Sequence, residues 1–191
     1  MGFGSKSKFA ESLNKESTTG GYFSPSKIAT GESARIHVLD EQPMEFWELW
    51  CESADGERRT IRFSEDPAPA DIEEELQAND LVRGNNKFDG KPEMVKEVMA
   101  FRCWNYETNS VQIASFTQKS IQRKLLSIGN TEDYQPFTDW DVQLSKKKNN
   151  DRIEYDLAAV PRKKGWDRES AVAEAEKIKL EALLTNENPF A

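Results

Sequence analysis

Apolar and polar side chains alternate from Met94 to Tyr106. A strand there carries Val95, Met99, Phe101 and Cys103 on one face and Lys96, Arg102, Trp104 and Tyr106 on the other. The first face has the composition of a core. The second sets cations beside flat aromatic rings, more than a solvated strand needs. Glu107, Thr108 and Asn109 suit a turn, and Val111 and Ile113 bring the chain back, so the pair reads as a hairpin. Thr117 then stands as a helix N-cap, with Ile121, Leu125 and Ile128 spaced for one buried stripe, and Gly129-Asn130 reads as an αL cap at its end.

The same reading extends along the chain. Ser33 to Leu39 predicts a first strand, with Ile36 and Val38 opposed to Arg35, His37 and Leu39; the Gln42-Pro43 turn follows. In MEFWELWC, Phe46, Glu48 and Trp50 oppose Trp47, Leu49 and Cys51, so one tryptophan is expected in the core and the other outside. Asp55-Gly56 turns the chain into Arg58 to Phe63, a returning strand with Ile61 and Phe63 inside. The segment from Glu65 to Glu93 changes character, with Pro67, Pro69, an acidic helix start at Asp71 to Glu75 and the Gly84-Asn85-Asn86 and Asp89-Gly90 turns. Later, Trp140, Val142 and Leu144 alternate along one strand, and Ile153, Tyr155, Leu157 and Ala159 along its partner. Lys146 to Asn150 forms the polar turn between them. After Pro161, Asp167 caps a long C-terminal helix whose Ala171, Val172, Ala175, Ile178 and Leu180 to Leu184 dock on the sheet or on a partner.

The run FRCWNYETNSVQIASFTQKSIQRKL, Phe101 to Leu125, resembles a pattern in tailed-phage single-stranded-DNA-binding replication proteins. That pattern has an aromatic-rich strand ending in a Trp-Asn-Tyr cluster, a polar turn, a return strand and a Thr-Gln-Lys-Ser-Ile helix start. The resemblance continues through a Trp-Asp-Val strand, a Lys-rich turn and a Tyr-containing strand between Asp139 and Pro161, and covers residues 33–161. It implies an OB-like barrel that coats single strands. The fold expected is therefore mainly β with α: a five-stranded antiparallel barrel with one helix between strands three and four, plus a C-terminal helix. Residues 34–51 map to its first strand, 94–106 and 110–116 to the second and third, 117–128 to the helix, and 139–147 with 152–160 to the last two. Another α+β arrangement, with the helix packed on an antiparallel sheet, fits the same pattern.

Composition changes this picture in three places. The 191 residues suffice for one domain. The expected layout is a flexible basic arm at 1–32 (Lys6, Lys8, Lys15, Lys27), a nucleic-acid-binding domain at 33–161 with an acidic insertion at about 52–93, and a C-terminal helix and tail at 162–191. The net charge of −8 is concentrated: residues 40–93 hold sixteen acidic against six basic side chains, while 94–166 hold nine against twelve. A locally basic groove is compatible with an acidic whole. Finally, Cys51 and Cys103 sit inside strand patterns without metal or disulfide spacing and are expected as buried thiols. Without a membrane-length apolar run or the apolar core of a signal peptide in MGFGSKSKF, the expected location is the cytoplasm, that of the host cell for a phage protein.

The candidate chemistry is stacking and phosphate neutralisation. OB barrels bind oligonucleotides across the face of strands two and three. Trp104 and Tyr106 are the expected stacking platforms, and Arg102, Lys119, Arg123, Lys146, Lys147 and Lys148 the expected phosphate contacts. The alternative for both rings is packing under the arm or the C-terminal helix. Catalysis is not expected: no nucleophile elbow or phosphate loop appears, His37 is the only histidine, and no second group completes a metal site with Asp71, Glu73, Glu74 and Glu75. Acids in a first helical turn are what the helix dipole favours. No cofactor is expected. The expected partners are single-stranded DNA, further copies of the chain, and replication proteins at the C-terminal helix or tail. The tail, TNENPFA, holds the single acid Glu187 near a Pro-Phe pair, an arrangement similar to the acidic peptide tips of bacterial single-strand binders. A protein-interaction adaptor with an OB-like barrel but no DNA affinity, such as a phage factor that binds host polymerase, is the main alternative.

Overall fold

Alternation at 96–105 places one strand at the centre of the architecture. The computed structural model describes residues 21–87 and 89–191. Its strands are β1 (Tyr22–Phe23), β2 (Ser33–Val38), β3 (Met44–Ser53), β4 (Arg58–Phe63), β5 (Leu81–Arg83), β6 (Lys96–Asn105), β7 (Ser110–Phe116), β8 (Trp140–Asn149) and β9 (Arg152–Pro161). Its helices are α1 (Pro69–Ala78), α2 (Lys119–Gly129) and α3 (Arg168–Ala175).

The nine strands form one mixed sheet whose main path runs β1-β7-β6-β2-β8-β9. β6 pairs with β7 from Met99 to Asn105, while on its other edge β3 takes Lys96 to Ala100 and β2 takes Cys103 to Asn105. The stretch expected as one first strand is thus two, split at residues 39–43 where Pro43 breaks the ladder. β3 continues beyond β6 and pairs with β4 and β5. Among the described residues β9 pairs with β8 alone, and β1 joins β7 in parallel, so the sheet does not close. The described residues are β-rich with three α-helices rather than a closed five-stranded antiparallel barrel.

Three apolar clusters hold the layers. On one face Met99, Phe101 and Cys103 of β6 meet Phe116, Val142, Leu144 and the α2 stripe of Ile121 and Leu125. The opposite face offers Phe46, Val98, Ala100, Val111 and Ile113 to Ala171, Ala175, Ile178, Leu180 and Leu183 of the C-terminal segment. β3 is therefore covered on both sides, with Leu49 and Cys51 facing Ile61 and the α1 residues Ile72 and Leu76. Each large apolar side chain fully buried in this way contributes about 1.5–3 kcal/mol. Trp47 and Trp50 consequently both end half-buried, Trp50 beneath the Arg58 guanidinium at 5.0 Å, instead of one inside and one outside.

Other expectations shift at element ends. Of the arm expected at 1–32, residues 1–20 lie outside the described residues. From Gly21 onward the chain belongs to the fold: Phe23, Pro25 and Ile28 are buried, and the Gly31 N–H donates to the Lys146 carbonyl at 2.8 Å. α2 begins after Gln118 rather than at a Thr117 cap, and Asn130 ends it in the right-handed region rather than in αL. Asp167 does cap α3, its Oδ1 accepting from the Ser170 N–H at 3.0 Å. The long C-terminal helix stops at Ala175, and a short turn follows at Leu180–Leu183. Ile178 and Leu180 are both buried, yet two residues apart they would point about 200° apart on one helix. Breaking the helix brings both onto the sheet. Cys51 and Cys103 are buried free thiols, and burial pushes both thiol pKa values up.

Candidate nucleic-acid interface

Trp104 on β6 lies opposite His37 of β2 on one side and Val111 of β7 on the other, with Arg102 opposite Ile113. These side chains share the sheet face turned away from α2. The face is partly covered. Trp166 stacks on Trp104 at 5.3 Å with 15° between the planes, and meets His37 and Tyr106 edge-on at 5.1 and 5.7 Å. Arg102 is held by Asp40, which accepts from its Nε at 2.7 Å and from its backbone N–H at 2.6 Å. Its Nη1 donates to the Ala175 carbonyl at 2.9 Å. Arg102 thus fastens the C-terminal segment to the sheet, an assignment alternation alone does not distinguish from a phosphate contact.

Beneath Trp166 sits a fully buried carboxylate, Asp141 of β8. Its Oδ1 accepts from His37 Nδ1 at 2.9 Å and the Tyr106 hydroxyl at 3.1 Å; its Oδ2 accepts from Arg35 Nε at 2.7 Å and the Lys163 N–H at 2.9 Å. Burial alone raises the pKa of this carboxyl, but the bonds from His37, Lys163 and Arg35, with the charge of Arg35, outweigh it and hold the group below the usual carboxylate range. Four donors from β2, the β6 end and the segment following β9 thereby meet at one point.

Tyr106 is the expected platform that stays accessible. Just past β6, its half-buried ring lines an open cleft of about 410 Å³ with Lys27, Glu32, Arg35 and Lys163. The Arg35 guanidinium lies 5.7 Å from the ring centroid and the Lys163 ammonium 5.4 Å. Burial first, then the neighbouring Asp141 charge and hydrogen bond, raise the Tyr106 pKa, so the phenol stays neutral at physiological pH. The β8–β9 hairpin rises at the same end of the sheet. β2 pairs with β8 only as far as Ser145, whereas the β8–β9 ladder runs on to Asn149 and Arg152. Lys147, Lys148 and Arg152 are exposed on that projection, while Lys146 donates to the Ser26 carbonyl at 2.8 Å.

Lys119 and Arg123 are exposed on α2, across the sheet from Trp104 and Tyr106, and Lys119 pairs with Glu97. The structure therefore gathers Tyr106, Lys146, Lys147 and Lys148 at one end and leaves Lys119 and Arg123 on another layer. It adds Arg35 and Lys27, which the sequence pattern carried only as an outward residue and part of the arm, and Lys163 from the segment after β9. Among the described residues no three His, Cys, Asp or Glu side chains converge as metal ligands, and no helix is long and apolar enough to cross a membrane. No family model matches the chain, and neither a curated protein nor a solved structure matches it.

Proposed function

We propose that the chain is a non-catalytic single-stranded-DNA-binding protein that coats strands during phage DNA replication or recombination in the host cytoplasm. The observation that carries this reading is the Tyr106 ring with Arg35 and Lys163 beside it at the rim of a cleft next to a lysine-rich hairpin. An aromatic face stacks any base, and the cations beside it follow the phosphates, so the site binds without reading sequence. The strand order supports it further. β7, β6, β2 with β3, β8 and β9 lie as third, second, first, fourth and fifth strands, with α2 between the third and fourth, the connectivity of a partly open OB-like barrel. In such a barrel the last hairpin loop flanks the nucleic-acid face, where Lys147 and Lys148 stand.

The salt dependence of binding tests this directly. Replacing both Lys147 and Lys148 with alanine is expected to weaken oligo-dT binding and to flatten the plot of log affinity against log salt by about 1.4, at about 0.7 per phosphate contact on a single strand. An unchanged slope removes the hairpin from the site.

One observation favours the adaptor reading. The acidic unit of β4, α1 and β5 has its own apolar cluster and is flanked by two exposed apolar side chains, Val82 at 63% and Met94 at 76%. An adaptor keeps its partner when Tyr106 is removed, whereas a coating protein loses its strand.

A further inference from the structure

His37 and Trp104 face each other across the β2–β6 ladder, and each leaves one buried ring nitrogen without a hydrogen-bond partner, Nε2 of His37 and Nε1 of Trp104. Buried polar atoms are paired in the great majority of proteins, so two orphans on one cross-strand pair require a reason. The ring closing over them does not provide partners. Trp166 has a single donor, Nε1, and it bonds to the Lys163 carbonyl at 2.9 Å. What Trp166 supplies is a flat surface, parallel to Trp104 at stacking distance.

A nucleobase is a flat ring of similar size that also carries donors and acceptors around its edge. The orphan pair complements such an edge. With Nδ1–H of His37 donating to Asp141, Nε2 is left to accept, while the Trp104 indole donates. The segment holding Trp166 lies at the surface. Residues 162–165 are exposed, and Gly165, at φ +87°, directly precedes the indole in a conformation other residues rarely adopt. Arg162, Lys163 and Lys164 ride on the same segment, placing three cations next to any strand that enters.

The geometry points to a base-binding slot on Trp104 and His37 that Trp166 fills in the free protein and vacates for a nucleobase of single-stranded DNA. This rests on the single-strand reading above. Trp166 acts as an internal competitor, so the apparent affinity is reduced by the fraction of molecules in which the slot is open. The base stacked on Trp104 adds to the one on Tyr106, whose ring lies 5.7 Å from the Trp166 indole.

The test compares the intact chain with Trp166→Ala on oligo-dT and on an abasic strand of equal length. The expected result is roughly tenfold tighter binding of oligo-dT by Trp166→Ala, with no gain on the abasic strand. In the unsubstituted chain, hydrogen exchange at Gly165 and Trp166 is expected to accelerate when oligo-dT is added, a readout independent of how the variant folds. Equal or weaker oligo-dT binding by the variant, an equal gain on the abasic strand, or unchanged or slowed exchange overturns the slot. In each of those cases, binding by the intact chain leaves the single-strand reading standing. Failure of both proteins to bind any strand overturns the two together.

Discussion

Tyr106→Ala is expected to weaken oligo-dT binding by about 1–3 kcal/mol, roughly 5- to 150-fold, while leaving the chain folded. The ring is the accessible aromatic of the cleft, and Arg35 and Lys163 beside it lose the surface that aligns a base with their charges. Tyr106→Phe separates stacking from hydrogen bonding. It keeps the ring and removes one of four donors to Asp141, so its affinity is expected to stay near that of the parent. Fluorescence anisotropy of a labelled strand reads both variants. A Tyr106→Ala protein that binds like the parent places the strand elsewhere.

Asp141→Ala carries the largest expected effect on stability, a loss of about 3–5 kcal/mol read as a lower urea midpoint, because it strips four donors of the acceptor they share and leaves His37 Nδ1 buried without that partner. The same carboxylate makes the fold acid-sensitive. Its pKa is depressed in the folded chain, so its stabilisation is fully present above the ordinary aspartate value of about 4 and is lost as pH falls through the lower folded value. The stability gap between the parent and Asp141→Asn is therefore expected to be widest at neutral pH and to narrow below about pH 4. A gap that stays constant on acidification shows that the charge of Asp141 contributes nothing.

How far the sequence carries depends on the range of the interaction. Parity along β6 separates Met99, Phe101 and Cys103 from Arg102 and Trp104 correctly, since a strand alternates faces whatever packs on it. Parity also sets Arg35 and His37 together opposite Ile36. It does not say what covers a face. Trp166 reaches Trp104 from 62 positions away, after a glycine and outside any periodic run, so nothing local marks it as that ring's partner. β1 and β5, two and three residues long, are too short to show a period. The end of α3 at Ala175 follows from the demand that Ile178 and Leu180 both reach the sheet, a tertiary requirement that helix propensity does not record.

Charge behaves similarly. Lys119 and Arg123 look equivalent to Lys147 and Lys148 in the sequence, yet α2 faces away from the Tyr106 cleft and the hairpin stands beside it. Asp141 reads as one more polar position on a strand, whereas four donors from separate segments make it the fixed point beneath Tyr106 and Trp166.

The most direct test of strand binding is an anisotropy titration of labelled oligo-dT with the purified chain at low and then raised salt, beside a duplex of the same length. Saturable binding of the single strand that weakens as salt rises, with the duplex bound more weakly, is the predicted result. Absence of binding to the single strand at low salt, or equal affinity for the duplex, contradicts the account.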